Sequence, residues 1–246
     1  MNIKYFRHIW SSILAFALFL SLPVNVYTQQ SPFPTFDDKI VQVFATRHDD
    51  SVSYGAGFIV TPAGTFLTAA HIIADTKTGQ LYENFRARVT VGDSLKILPV
   101  TLVYNFLIDT PSYDLALFQV DYEAKVFPLF PFFIIGDKPK KGSQVIIAGY
   151  PKIFKQVPTR PVYRSGIVAT HYLVKNAPVT ILDLPSAKGF SGSGVIDITR
   201  KEAAVFAVVR GFAADETEDL TVAYDIPARI VQARLKTYNE EKKKKE

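Results

Sequence analysis

The sequence predicts an all-β protein of antiparallel barrels or sandwiches, arranged as two units of similar size and followed by one helix. Short runs of β-branched and aromatic residues recur through most of the chain, separated by Gly, Pro, Asp and Asn. The stretch 127–142 carries three prolines and no helical period, so it reads as a crossover between two sets of such runs. Apolar residues at helical spacing follow only Pro227, a residue suited to a first helical turn.

In the leader at 1–28, Lys4 and Arg7 precede an apolar run at 13–22 that Pro23 and Asn25 interrupt. That run is about half of the ~20 residues a membrane span needs, so the leader reads as an export signal cut after Thr28, with an uncleaved anchor as the second reading. A linker follows at 29–38, and then an N-terminal β unit at 39–126 with strands expected at 39–47, 56–60, 65–69, 88–91, 96–103 and 115–120. Beyond the crossover, a C-terminal β unit at 143–225 has strands expected at 143–149, 162–172, 179–184, 194–198, 203–209 and 220–223. The helix is expected at 226–239, and the lysine-rich tail at 240–246 reads as a frayed, solvated end.

Composition narrows the function classes. A hydrophobic fraction of 48% over 246 residues describes a folded chain. The net charge is +5, and removing a leader that holds Lys4, Arg7 and no carboxylate lowers it to +3, an excess too weak to imply a nucleic-acid partner. Without Cys there are no disulfides, no cysteine nucleophile and no Cys-based zinc site, and an exported chain of this kind suits a bacterial extracytoplasmic setting. The four histidines, His8, His48, His71 and His171, form no His-Glu-x-x-His pair, so neither metal nor cofactor is implied.

Three segments carry chemistry when read together. A hairpin from Gly55 ends in Thr68, Ala69 and Ala70 just before His71; Asp114 stands immediately before the apolar run at 115–120; and Gly189, Phe190, Ser191, Gly192, Ser193 and Gly194 form a glycine-rich loop. A serine hydroxyl is a weak nucleophile until a neighbouring base takes its proton, and that base works best when a carboxylate fixes its tautomer. His71, Asp114 and Ser191 supply those roles, while the amides of Gly189 and Ser191 can face the oxyanion of an attacked carbonyl. An α/β-hydrolase elbow is disfavoured, because Ser193 stands where that motif needs Gly and no histidine follows Ser191. His48 and His171 lack the small-residue strand end and read as surface or packing residues.

With that order of His, Asp and Ser, the chain resembles trypsin-like serine proteases of the chymotrypsin fold, and among them the bacterial HtrA/Deg and glutamyl-endopeptidase branches. The resemblance rests on Thr68 to His71, Asp114 to Leu117 and Gly189 to Ser193, and extends over roughly 39–235 because Val222 to Pro227 and the following helix resemble the end of an HtrA protease domain. It implies two packed six-stranded β-barrels, a serine endopeptidase acting on protein or peptide substrates, and a site in the cleft between the barrels. It also implies a specificity pocket walled by Pro185, Ser186, Ala187 and Lys188 on one side and by Val208, Val209, Arg210 and Gly211 on the other. Pro185 at the pocket base disfavours cleavage after Lys or Arg, and the later wall has no histidine to favour Glu; a small or medium apolar side chain is expected, with an acidic one attracted by Arg210 as the second reading.

The chain also departs from the family. Phe190 stands where digestive enzymes carry an aspartate that pairs with a new N-terminus, so activation by that route is not expected. HtrA enzymes have Asn there and two glycines after the serine, against Gly192 and Ser193 here, which opens the alternative of a weak or inactive protein that binds peptides or a partner. The oligomeric state is left open.

Overall fold

A computed structural model describes residues 36–109, 113–122, 130–153, 155–174, 176–212 and 220–245. The leader at 1–28, with the alternatives of signal and anchor, lies outside the described residues, as do 29–35 of the linker.

Two closed six-stranded antiparallel barrels follow. The first contains β1 (Ile40–Thr46), β2 (Val52–Ile59), β3 (Thr65–Thr68), β4 (Glu83–Val91), β5 (Ser94–Asn105) and β6 (Ala116–Val120), closed in the order β1-β2-β3-β6-β5-β4. Inside it, the cross-strand partners Phe66 of β3 and Phe118 of β6 stack at 5.5 Å, and Phe85 meets Phe118 edge-on at 5.4 Å. Aromatic pairs of this kind add about 0.5–1.5 kcal/mol to what burial alone supplies.

The segment between the barrels contributes β7 (Ile134–Ile135). The second barrel comprises β8 (Gln144–Gly149), β9 (Val162–Val174), β10 (Ala177–Asp183), β11 (Gly194–Asp197), β12 (Ala204–Phe212) and β13 (Leu220–Asp225). Their order is β11-β8-β9-β10-β13-β12, closed by pairing of β11 with β12. After β13, α1 spans Ala228–Lys245.

Three details differ from the expectation. First, β2 and β4 begin earlier than their apolar runs, at Val52 and Glu83, because barrel closure pairs Val43 with Gly55 and Phe44 with Arg86, recruiting stretches broken by Ser53, Gly55, Glu83, Asn84 and Arg86. Second, the crossover contains a strand, since Ile134 and Ile135 pair in parallel with Ala204 and Val205; two residues near prolines are too few to show a period. Third, the helix does not stop at 239, and the segment expected as a frayed tail is helical through Lys245. Lys and Glu are good helix formers, and Lys236 reaches Glu240 one turn on at 4.0 Å.

The crossover and the start of the first barrel tie the barrels together. Phe133 packs edge-on against Phe36 at 5.2 Å and Phe58 at 6.5 Å, with the Lys39 ammonium 5.0 Å from its ring centre. The Tyr163 hydroxyl of β9 donates to Asp37 at 2.6 Å and accepts from the Phe36 N–H at 2.7 Å. Nearer the site, the Ala56 N–H of β2 donates to the Ser191 carbonyl at 2.8 Å, which fixes the serine loop to the first barrel.

Candidate active site

His71 is set by the end of β3. Thr68 is buried and donates its hydroxyl to the Ala56 carbonyl at 2.6 Å, and the fully buried Ala69 and Ala70 lead the chain into a single turn, Ala70–Ile72. Larger side chains would have no room there. On the neighbouring strand, Asp114 lies just before β6 and holds His71 twice: Oδ1 accepts from the His71 N–H at 2.8 Å, and Oδ2 meets Nδ1 at 2.6 Å.

Burial is the largest influence on the Asp114 carboxyl and pushes its pKa up. The hydrogen bonds and charge of His71, together with the charge of Arg210, outweigh it and leave the group below the ordinary carboxylate value. An ionised carboxylate can only accept, so the Nδ1 facing it carries the proton and Nε2 is left with its lone pair.

Ser191 is shaped by the glycines around it. The Phe190 N–H donates to the Ala187 carbonyl at 3.1 Å, closing a four-residue turn whose third residue, Gly189, has φ +103°. Such a turn needs a positive φ at that position, and a side chain there would also strike the Tyr150 carbonyl. Gly192, at φ +82°, leaves room for Ala56 O and Thr68 Oγ1. Among the described residues, neither the Gly189 nor the Ser191 N–H has a backbone acceptor.

Phe190 anchors this loop. Its ring is fully buried in the second barrel among Val145, Leu184 and Val195, with the Arg164 guanidinium 5.2 Å from the ring centre. An apolar anchor thus occupies the place where digestive enzymes carry an aspartate and HtrA enzymes an asparagine. Ser193 is equally buried and donates to the Ala148 carbonyl at 2.6 Å.

The strand β12 completes the site with an irregularity. Its register with β13 shifts between Val209 and Gly211, so Arg210 is the extra residue of a bulge. The Ser191 hydroxyl donates to the Arg210 carbonyl at 3.0 Å, and the Arg210 Nε lies 3.8 Å from Asp114 Oδ2. No hydrogen bond joins Ser191 to His71 here, but both line one cleft of about 630 Å3.

Of the residues expected to wall a specificity pocket, Ala187 and Lys188 line this cleft. Pro185 accepts from Arg164 at 2.9 Å, the Ser186 hydroxyl is buried without a partner, and Val208 and Val209 are buried on β12 beside Gly211. The cleft is also lined by Arg47, Tyr54, Pro151 and Lys152, which the sequence reading did not single out because packing of the two barrels is what brings them there. His48 lies edge-on to Tyr82 at 5.8 Å, and His171 bonds Thr180 and the Pro139 carbonyl at 2.9 Å each, both away from the cleft.

The model of the trypsin-like peptidase domain matches residues 55–205, more than half of the chain and all three of His71, Asp114 and Ser191. The chain belongs to the trypsin-like peptidase domain family. Comparison with curated proteins gives no match. Among solved structures, this trypsin-like peptidase is similar to the active form of the Rv3671c protease from M. tuberculosis, at 21% identity and TM-score 0.58 over 77% of this chain and 76% of that one. It is similar to a Glu endopeptidase at 17% identity and TM-score 0.60, over 80% of this chain and 88% of that one. The HtrA-type protease AlgW with a tripeptide gives 17% identity and TM-score 0.58 over 77% of this peptidase and 56% of AlgW. At these identities the likeness is one of fold.

Proposed function

We propose that the chain is an exported serine endopeptidase that cleaves peptide bonds through an acyl-enzyme on Ser191. The observation that carries the reading is His71, held twice by Asp114 and lining one cleft with Ser191, beside the Gly189 and Ser191 amides that have no backbone acceptor among the described residues. Rotation about χ1 moves the Ser191 hydroxyl from the Arg210 carbonyl toward His71 Nε2. As Oγ bonds to the scissile carbonyl carbon, Nε2 takes the proton, and the N–H groups of Gly189 and Ser191 receive the oxyanion. The imidazolium, stabilised by Asp114, gives its proton to the departing amine as the C–N bond breaks. Water, deprotonated in turn by His71, releases the acyl group.

The same reading seats an apolar acyl-side residue between 185–188 and 208–211. Export is supported by the composition of the leader, with membrane contact through 1–28 if it is retained. The parking of Ser191 on Arg210 favours a second reading, a protein of this fold that binds peptides without cutting them. Incubating the mature chain with a peptide library distinguishes them: the proposal expects fragments with Ala, Val or a similar residue at the new C-terminus, absent from Ser191→Ala, whereas an intact library supports the binder.

A further inference from the structure

The cleft beside Ser191 carries charge of one sign. Arg47, Lys152 and Lys188 line it, and no carboxylate does. Among the described residues none of the three is in an ion pair. Aromatic faces hold two of them at the rim: the Lys152 ammonium lies 5.8 Å from the centre of the Tyr54 ring, and the Arg47 guanidinium 5.8 Å from that of Tyr82. Asp49, whose carboxyl feels the charge of Arg47, lies outside the lining and accepts from the Ser51 N–H and hydroxyl at 3.0 and 2.6 Å. After β8, residues 151–164 include no acidic residue, and Lys155 is exposed beyond Lys152, while Arg160 pairs with Asp37 at 3.7 Å and Arg164 bonds the Pro185 carbonyl.

We infer that this flank of the cleft selects substrates with acidic residues on the leaving-group side of the scissile bond. The inference rests on the proposed function for its polarity: with the acyl side chain assigned to 185–188 and 208–211, the departing chain is left the remaining lining, which includes Tyr54, Pro151, Lys152 and Arg47. Unpaired cations around a partly enclosed groove attract carboxylates more strongly than isolated surface lysines do, because low-dielectric walls focus their field. A lysine or arginine on the substrate would meet the like charges of Arg47 and Lys152 there, with Lys188 across the scissile bond.

Binding to the Ser191→Ala protein tests this without cleavage. The probes are dye-labelled peptides of Ala-Ala-Val followed by three Glu, three Gln or three Lys, titrated by fluorescence polarisation. The Glu peptide is expected to bind about tenfold more tightly than the Gln peptide, and the Lys peptide more weakly still. The advantage should shrink between about 0.02 M and about 0.5 M salt, as the screening length falls from roughly 20 Å to roughly 4 Å. It should disappear when Arg47→Gln and Lys152→Gln are added, both positions being exposed, and persist with Lys201→Gln on the distant β11–β12 turn. Equal binding of Glu and Gln peptides, no binding of either, or an advantage that survives the double substitution would overturn the inference. Selective binding by the serine variant with no cleavage by the wild type would sink the peptidase reading and keep only a cleft that prefers acidic peptides; cleavage indifferent to Glu or Gln would overturn the inference and leave the peptidase reading standing.

Discussion

Arg210 Nε lies 3.8 Å from Asp114 Oδ2, the oxygen that also meets His71 Nδ1 at 2.6 Å. One carboxylate therefore faces two cationic or potentially cationic groups from two barrels. The bulge in β12 makes this possible, since an unpaired extra residue can turn both its carbonyl, toward Ser191, and its guanidinium, toward Asp114.

That geometry sets a pH dependence of stability. The Asp114 carboxyl is held below its ordinary value of 3.8, so its pairing stabilises the fold fully above that pH and is lost as pH falls through the depressed value. His71→Ala removes the strongest opposing influences and leaves burial less compensated, at a cost of roughly 1–3 kcal/mol near neutral pH. Urea unfolding at several pH values should show the gap between wild type and variant narrowing below pH 3.8. A gap that widened in acid would contradict the assigned pairing.

Arg210→Met should act in the same direction but weakly. Its side chain is 57% exposed, so solvent screens the interaction, and a loss under about 1 kcal/mol is expected. The pH at which acid unfolding begins should move up slightly, as read by circular dichroism.

The two serines of the loop should separate cleanly. Ser191→Ala is expected to abolish turnover, and Asp114→Asn to lower kcat by several orders of magnitude through the wrong His71 tautomer. Ser193→Ala should retain most activity but lose about 1 kcal/mol of stability, because its buried hydroxyl serves the Ala148 carbonyl. Steady-state kinetics beside thermal unfolding reads both; a dead Ser193→Ala with an active Ser191→Ala would reverse the assignment.

Gly189→Ala tests the oxyanion turn. At φ +103° and against the Tyr150 carbonyl, alanine forces the turn to rearrange, and kcat should fall by about a hundredfold or more. Phe190→Ala instead empties a fully buried site and should cost about 3–5 kcal/mol. Unchanged kcat in Gly189→Ala would remove its amide from the mechanism.

Processing of the leader has an optical signature. Trp10 is the only tryptophan, so a chain cut near Thr28 has no indole fluorescence. Tryptophan emission from protein recovered outside the cytoplasm would support an uncleaved anchor.

Much of this architecture was legible in the sequence. Short apolar runs mark β1, β6 and β8, buried along nearly their whole length, and Thr68 to His71, Asp114 and the glycines around Ser191 are local patterns with local reasons. What stayed hidden depends on contacts distant in sequence. Barrel closure decides that Glu83 and Ser53 are in strands, while barrel packing brings Arg47 to the cleft. The register slip that turns Arg210 toward Asp114 has no sequence mark, because a bulge is a relation between β12 and β13 rather than a property of either.

The central claim is that Ser191 is a nucleophile activated by His71. Reaction of the mature chain with a fluorophosphonate, followed by peptide mass spectrometry, tests it most directly. The account predicts one adduct, on Ser191, that forms rapidly in the wild type, is greatly slowed in His71→Ala and is absent in Ser191→Ala. No adduct on the folded wild-type chain, or an adduct on another serine, would contradict it.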